Sequence, residues 1–103
     1  MILDVVESIN GVPIRLTEER WYEHIVFRHP YMSGYLNIVL DTLEKPQFIL
    51  QGTKGAKIAV ANLSRRKWMH VIYKETSRTD GFIISARIES EYNENKVIWT
   101  REF

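Results

Sequence analysis

Residues 57–89 read KIAVANLSRRKWMHVIYKETSRTDGFIISARIE, and three runs inside this stretch decide the fold. Lys57 to Leu63, Lys67 to Lys74 and Gly81 to Glu89 are rich in β-branched and aromatic residues. Turn signals separate them at Ser64–Arg66 and Thr79–Gly81. Loops this short favour antiparallel pairing of successive strands.

Moving outward, Gln47 to Leu50 is a further apolar run bounded by Pro46 and Gly52, and Lys96 to Arg101 follows a turn signal at Asn93–Asn95. Upstream the period changes. Thr17 is an N-cap candidate, Glu18 and Glu19 suit a first helical turn, and Trp21, Tyr22, Ile25 and Val26 mark one face up to about His29. Pro30 ends that helix. A second helix opens at Ser33 and Gly34 and runs to about Glu44, with Leu36, Val39, Leu40 and Leu43 as its buried stripe. Before the helices, Ile2 to Val6 and Val12 to Leu16 flank Asn10-Gly11 and read as a β-hairpin. Helices followed by strands predict an α+β chain rather than alternating βαβ units. The expectation is one domain over 1–103. Two helices pack on one face of a four- to five-stranded, mostly antiparallel sheet, with an N-terminal β-hairpin.

Composition sets the class. At 45% hydrophobic, 12% aromatic and net charge +1, the chain is a folding sequence and not a disordered one. Cysteine is absent, which removes disulfides and thiolate metal sites and suits a reducing compartment. No apolar run approaches the roughly 18 residues of a membrane span. Met1 to Gly11 lacks the basic start and apolar stretch of a signal peptide. A cytoplasmic location is expected, with no membrane partner. Charge is uneven: residues 1–50 carry net −3 and residues 51–103 net +4. Seven basic residues against Glu75 lie between Lys54 and Arg78, either as a solvated sheet rim or as a surface that attracts phosphates.

Strand parity sorts the candidate site residues. In the third run of the sheet, Met69, Val71 and Tyr73 form one set and Trp68, His70, Ile72 and Lys74 the other. In the fourth, Phe82, Ile84, Ala86 and Ile88 are the expected core set, with Ile83, Ser85, Arg87 and Glu89 facing away. A face not covered by helices would then carry His70, Lys74, Ser85 and Arg87, with Trp68 either stacking on a base or packing against a terminal segment. On the first helix His24 and Arg28 are four apart and share a face, whereas His29 points elsewhere. That spacing makes no helical metal clamp, and no cluster with metal-ligand spacing occurs in the sequence; no metal or cofactor is expected. Gly52-Thr53-Lys54-Gly55 is too short for a Walker loop, and neither a dinucleotide fingerprint nor a serine elbow is present.

Three segments together carry a resemblance: Leu16-Thr17-x-Glu19-Arg20-Trp21-x-x-His24-Ile25-x-x-Arg28-His29-Pro30, then Tyr35-Leu36-x-x-Val39-Leu40-x-Thr42-Leu43-x-x-Pro46, then Gly81-Phe82-Ile83-Ile84-Ser85-Ala86. Over residues 15–88 the chain resembles the phage-associated branch of the barnase–EndoU–colicin–RelE (BECR) superfamily of small metal-independent ribonucleases. The resemblance implies two helices followed by a four-stranded antiparallel sheet, with helix and sheet residues around one RNA-binding cleft. It implies His24 and Arg28 as catalytic residues from the helix and Ser85 from the strand, where relatives usually carry threonine. Arg87 stands where relatives carry an aromatic residue.

RNA brings its own nucleophile, the 2′-OH, so cleavage needs a base, an acid and cations for the phosphorane charge. The expected roles follow. His24 is the acid/base and His70 a second one. Arg28, Lys74 and Arg87 bind phosphate, Ser85 donates a hydrogen bond, and Trp68 stacks on a base. The product is a 2′,3′-cyclic phosphate. The alternative is a catalytically silent RNA-binding or protein-interaction module of the same fold, for instance a toxin-like chain held by an antitoxin protein.

Overall fold

The structure is a computed structural model, and it describes residues 1–102. Seven strands form one sheet: β1 (Ile2–Glu7), β2 (Pro13–Thr17), β3 (Phe48–Gln51), β4 (Lys57–Ser64), β5 (Lys67–Glu75), β6 (Gly81–Glu89) and β7 (Val97–Thr100), in the order β1-β2-β6-β5-β4-β3-β7. The chain is α+β, with helices on one face, as expected. The sheet is larger than expected because the N-terminal hairpin is not a separate unit. Its second strand continues the sheet, running parallel to β6 with Ile14 beside Gly81 and Arg15 beside Phe82. All other neighbours are antiparallel.

The parallel join depends on Gly81. A Cβ there would stand 2.5 Å from Ile14 Cδ1 and 2.6 Å from the Lys74 carbonyl oxygen, so a side chain would force the Ile14 side chain of β2 and the β5 backbone to shift. The end of the same hairpin is tied down by Glu75. Its carboxylate accepts hydrogen bonds from Ser8 Oγ (2.6 Å), Asn10 Nδ2 (3.1 Å) and Lys57 Nζ (2.8 Å).

The first helix begins where Thr17 Oγ1 accepts the Arg20 N–H at 3.1 Å, so the predicted N-cap is real. Its centre, Arg20–Val26, is wound as a π-helix rather than an α-helix. Hydrogen bonds that reach five residues bring positions four to five apart onto one side, which here turns Trp21 and Ile25 into the core. The second helix is split by its sequence. Pro30–Gly34 forms a 3₁₀ turn, and α1 proper runs Leu36–Glu44. Val39, Leu40 and Leu43 are buried as the stripe predicts, with Leu36 only half-buried. Against them the sheet presents Leu16, Ala59, Met69, Val71, Tyr73, Ile83 and Ala86.

One parity expectation fails. Phe82 and Ile84 were expected in the core, but Ile83 is there instead. The β5–β6 register pairs Tyr73 with Ile83 and Ile72 with Ser85, leaving Ile84 as an extra residue. This bulge inverts the faces of β6 below Ser85. Phe82 therefore lies opposite Lys74 on the other face, where the Arg15 guanidinium sits 5.7 Å from its ring centre. Ser85, Arg87 and Glu89 keep the face assigned to them.

Candidate functional site on the second face of the sheet

The face away from the helices is partly roofed. To reach β7 from β6 the chain must pass β5, β4 and β3, four strand spacings or roughly 19 Å. Residues 90–96 make this crossing as a strap. Tyr92 pins it, stacking on Phe48 (centroids 4.7 Å) and meeting Trp68 edge-on (4.7 Å). The described hydrogen bonds of the strap are internal, from Asn95 N–H to Asn93 Oδ1 and from Lys96 N–H to the Asn93 carbonyl.

Beside the strap lies a cavity of about 700 Å³. Leu50 and Ile58 line it with apolar surface, and Trp68 and Tyr92 present rings. Arg87 and Lys96 supply cations, Glu89, Glu91 and Glu94 supply carboxylates, and Gln51 and Asn93 supply amides. His70 also lines it and is only 5% exposed.

The state of His70 follows from its contacts. Nδ1 lies 3.0 Å from the Trp68 carbonyl oxygen, which can only accept, so Nδ1 carries the proton. Nε2 then holds a lone pair. No partner for it is described, and no unpartnered buried side-chain nitrogen occurs among the described residues, so Nε2 opens into the cavity. Burial pushes the imidazole below its ordinary value of 6.5; the nearby Arg87 charge acts the same way, against the Trp68 carbonyl and Glu89. His70 is therefore neutral at pH 7. Directly across the ladder stands Arg87. Its Nε donates to the Glu89 carboxylate, two residues on along the same face. Both side chains are more than a third exposed, so this pair is weak and can be opened by a competing anion.

Trp68, His70 and Arg87, three of the predicted site residues, thus meet in one cavity. Ser85 is opposite Ile72 on the same face and Lys74 is opposite Phe82, but neither lines the cavity. Lys74 lies over the Gly52–Gly55 turn, its Nζ 3.9 Å from where a Cβ on Gly55 would stand. His24 and Arg28 are exposed on the first helix and do not line the cavity either. Trp68 packs against the strap, the second of the two readings open for it. The basic run from Lys54 to Arg78 is not one patch. Lys54 lies before β4, Arg65 and Arg66 lie beyond its far end, eight residues or roughly 26 Å away, and Lys57 is taken by Glu75.

Sequence reading did not single out Glu89, Tyr92 or Lys96. Glu89 shares parity with Arg87, which was the available signal. Tyr92 lies just before the turn signal at Asn93–Asn95 and Lys96 opens the run read as the last strand; only the strand order makes the segment a crossing. No helix among the described residues is long and apolar enough to cross a membrane, and no group of three potential metal ligands converges among them. Comparison with protein-family models, curated proteins and solved structures finds no match to this chain.

Proposed function

We propose that this chain is a metal-independent, toxin-like endoribonuclease of the cytoplasm, of the BECR type that its motifs resemble, with its chemistry in the strap-walled cavity. One observation carries the reading: a neutral imidazole with an open Nε2 sits directly across the ladder from a guanidinium. Directly opposed side chains have Cβ atoms about 5 Å apart, the scale of a phosphodiester.

His70 Nε2 takes the proton of the RNA 2′-OH, and the freed oxygen attacks phosphorus. The bond to the 5′-oxygen breaks, and that oxygen takes a proton from the Lys96 ammonium or from water. Arg87 turns from Glu89 to the phosphorane oxygens, where a charge-assisted pair is strongest. Trp68 and Tyr92, packed on each other and on Phe48, form an aromatic wall of the cavity against which a base would lie. The products are a 2′,3′-cyclic phosphate and a 5′-hydroxyl. His24 and Arg28, away from the cavity, receive no proton-transfer role in this scheme.

The test is cleavage of end-labelled RNA in EDTA. Cyclic-phosphate ends should form, and His70→Ala should slow cleavage by about 10²–10⁴-fold, the range for general acid–base catalysis. His24→Ala should leave the rate unchanged. Intact RNA beside an active control, or an unchanged rate in His70→Ala, overturns the reading.

A second reading has its own observation. Arg87 is already paired, and three carboxylates outnumber the two cations of the cavity. This favours a silent binding module for RNA or a partner protein. Binding of RNA that weakens with salt, without turnover, would support it.

A further inference from the structure

Carboxylates outnumber cations around the cavity, three against Arg87 and Lys96. Glu89, Glu91 and Glu94 are carboxylates, and the one donor set to Glu89 comes from Arg87 of the same strand. At the wall, His70 is more than nine-tenths buried, and its Nε2, for which no partner is described, is accessible from the cavity. Among the other walls, beside Leu50, Ile58 and the Lys96 stem, are the rings of Trp68 and Tyr92, and aromatic faces attract cations. A ligand that satisfies all three features must be planar, cationic and rich in N–H donors. A guanidinium group is all of these: it forks onto carboxylates, reaches a ring nitrogen and stacks flat on an indole. An ammonium is a compact, strongly hydrated charge with no face to stack.

We infer that this cavity binds the guanidinium of an arginine, entering beside the Tyr92 strap onto Glu91, Glu94 and His70 Nε2 and competing with Arg87 for Glu89. This adds a regulator to the site of the ribonuclease reading: an arginine seated there occupies the place of the scissile phosphate and withdraws His70. The chemistry is available from free arginine derivatives and from an arginine presented by another polypeptide.

The experiment titrates L-argininamide, lysinamide and citrullinamide into the intact chain, following tryptophan fluorescence and the His70 imidazole by NMR. Argininamide should bind with a Kd of about 1 mM or tighter, shifting the His70 ring signals, and citrullinamide should not bind. The double variant Glu91→Gln/Glu94→Gln, altered only on the exposed strap, should weaken binding at least about tenfold. His70→Gln should weaken it as well, with its melting temperature measured alongside to establish that it folds. A capped pentapeptide with a central arginine separates the sources. Tighter binding of the peptide points to a polypeptide partner, and equal or weaker binding to a free metabolite. Lysinamide or citrullinamide binding as well as argininamide, or no spectral change with any of them, overturns the inference. The titration needs no RNA. Binding without cleavage leaves the inference standing and removes the ribonuclease, whereas cleavage without binding does the reverse.

Discussion

The two faces of this sheet are built from adjacent residues of the same strands, yet they obey different rules. On the helix side β5 contributes Met69, Val71 and Tyr73, each at most 1% exposed and packed under Trp21, Ile25 and α1. On the strap side the neighbouring Trp68, His70 and Lys74 meet rings, charges and open space. The first face excludes water and holds the fold together. The second is roofed by seven residues pinned through one tyrosine, so it keeps room for charge and ligand. The proposed chemistry is placed on the second face because the cavity with His70 and Arg87 opens there.

The comparison breaks if both faces respond alike to truncation. Met69→Ala and Leu43→Ala should each cost about 2–5 kcal/mol, since buried aliphatic side chains leave cavities that the core refills only in part. Tyr92→Ala, which removes the pin of the strap, should cost less than either and should raise acrylamide quenching of tryptophan, because it uncovers Trp68. Urea titration of the three variants decides: a larger loss for Tyr92→Ala than for Met69→Ala would mean that the strap is part of the core.

A second test concerns how the hairpin joins the sheet. Gly81→Ala should cost about 1–3 kcal/mol through overpacking, because the added methyl meets both a side chain and a backbone carbonyl. Hydrogen exchange should quicken in β1 and β2 before it does in β4. Uniform protection throughout would contradict the view that the join of β2 to β6 depends on the close approach at Gly81.

These tests also mark where the sequence was readable. All seven strands and the Thr17 cap can be read from alternation, turn residues and capping chemistry, because those signals are local. Three features cannot. The parallel docking of β2 on β6 depends on a contact between residues 67 positions apart, with Gly81 as its only trace. The bulge at Ile84 hides inside an unbroken apolar run, Phe82-Ile83-Ile84, where parity has no polar residue to anchor it. The cavity needs strand order: nothing in Ser90–Lys96 indicates that it must cross three strands. Of the site residues, parity placed Trp68, His70 and Arg87 on one face correctly. The helical pair His24 and Arg28 came from resemblance, and the cavity does not include them.

Titration sharpens the comparison with a smaller effect. Glu75 and His70 both have lowered pKa values, one at the hairpin's end and one in the cavity. Burial alone would raise the Glu75 carboxyl, but hydrogen bonds from Lys57, Ser8 and Asn10, with the Lys57 charge, outweigh it and hold the group below its ordinary 4.5. Between the folded value and 4.5 the unfolded chain binds more protons, so this stabilisation is complete above about pH 4.5 and is lost as pH falls through the folded value. Glu75→Gln should flatten that acid limb and cost about 1–3 kcal/mol at pH 7, leaving the Lys57 ammonium without its carboxylate.

For His70 the sign is the same and the window is higher. Its folded value lies below 6.5 because burial and Arg87 disfavour the imidazolium. The unfolded chain takes up the proton first as pH falls from about 6.5, so stability declines across that interval and levels off once the folded ring is protonated too. His70→Gln should abolish this shallow decline while leaving the Glu75 limb in place; thermal melts at half-unit steps from pH 7.5 to 3 separate the two. A decline near pH 6 that survives in His70→Gln would contradict this assignment to His70. The cavity wall would then not be the face that senses protons.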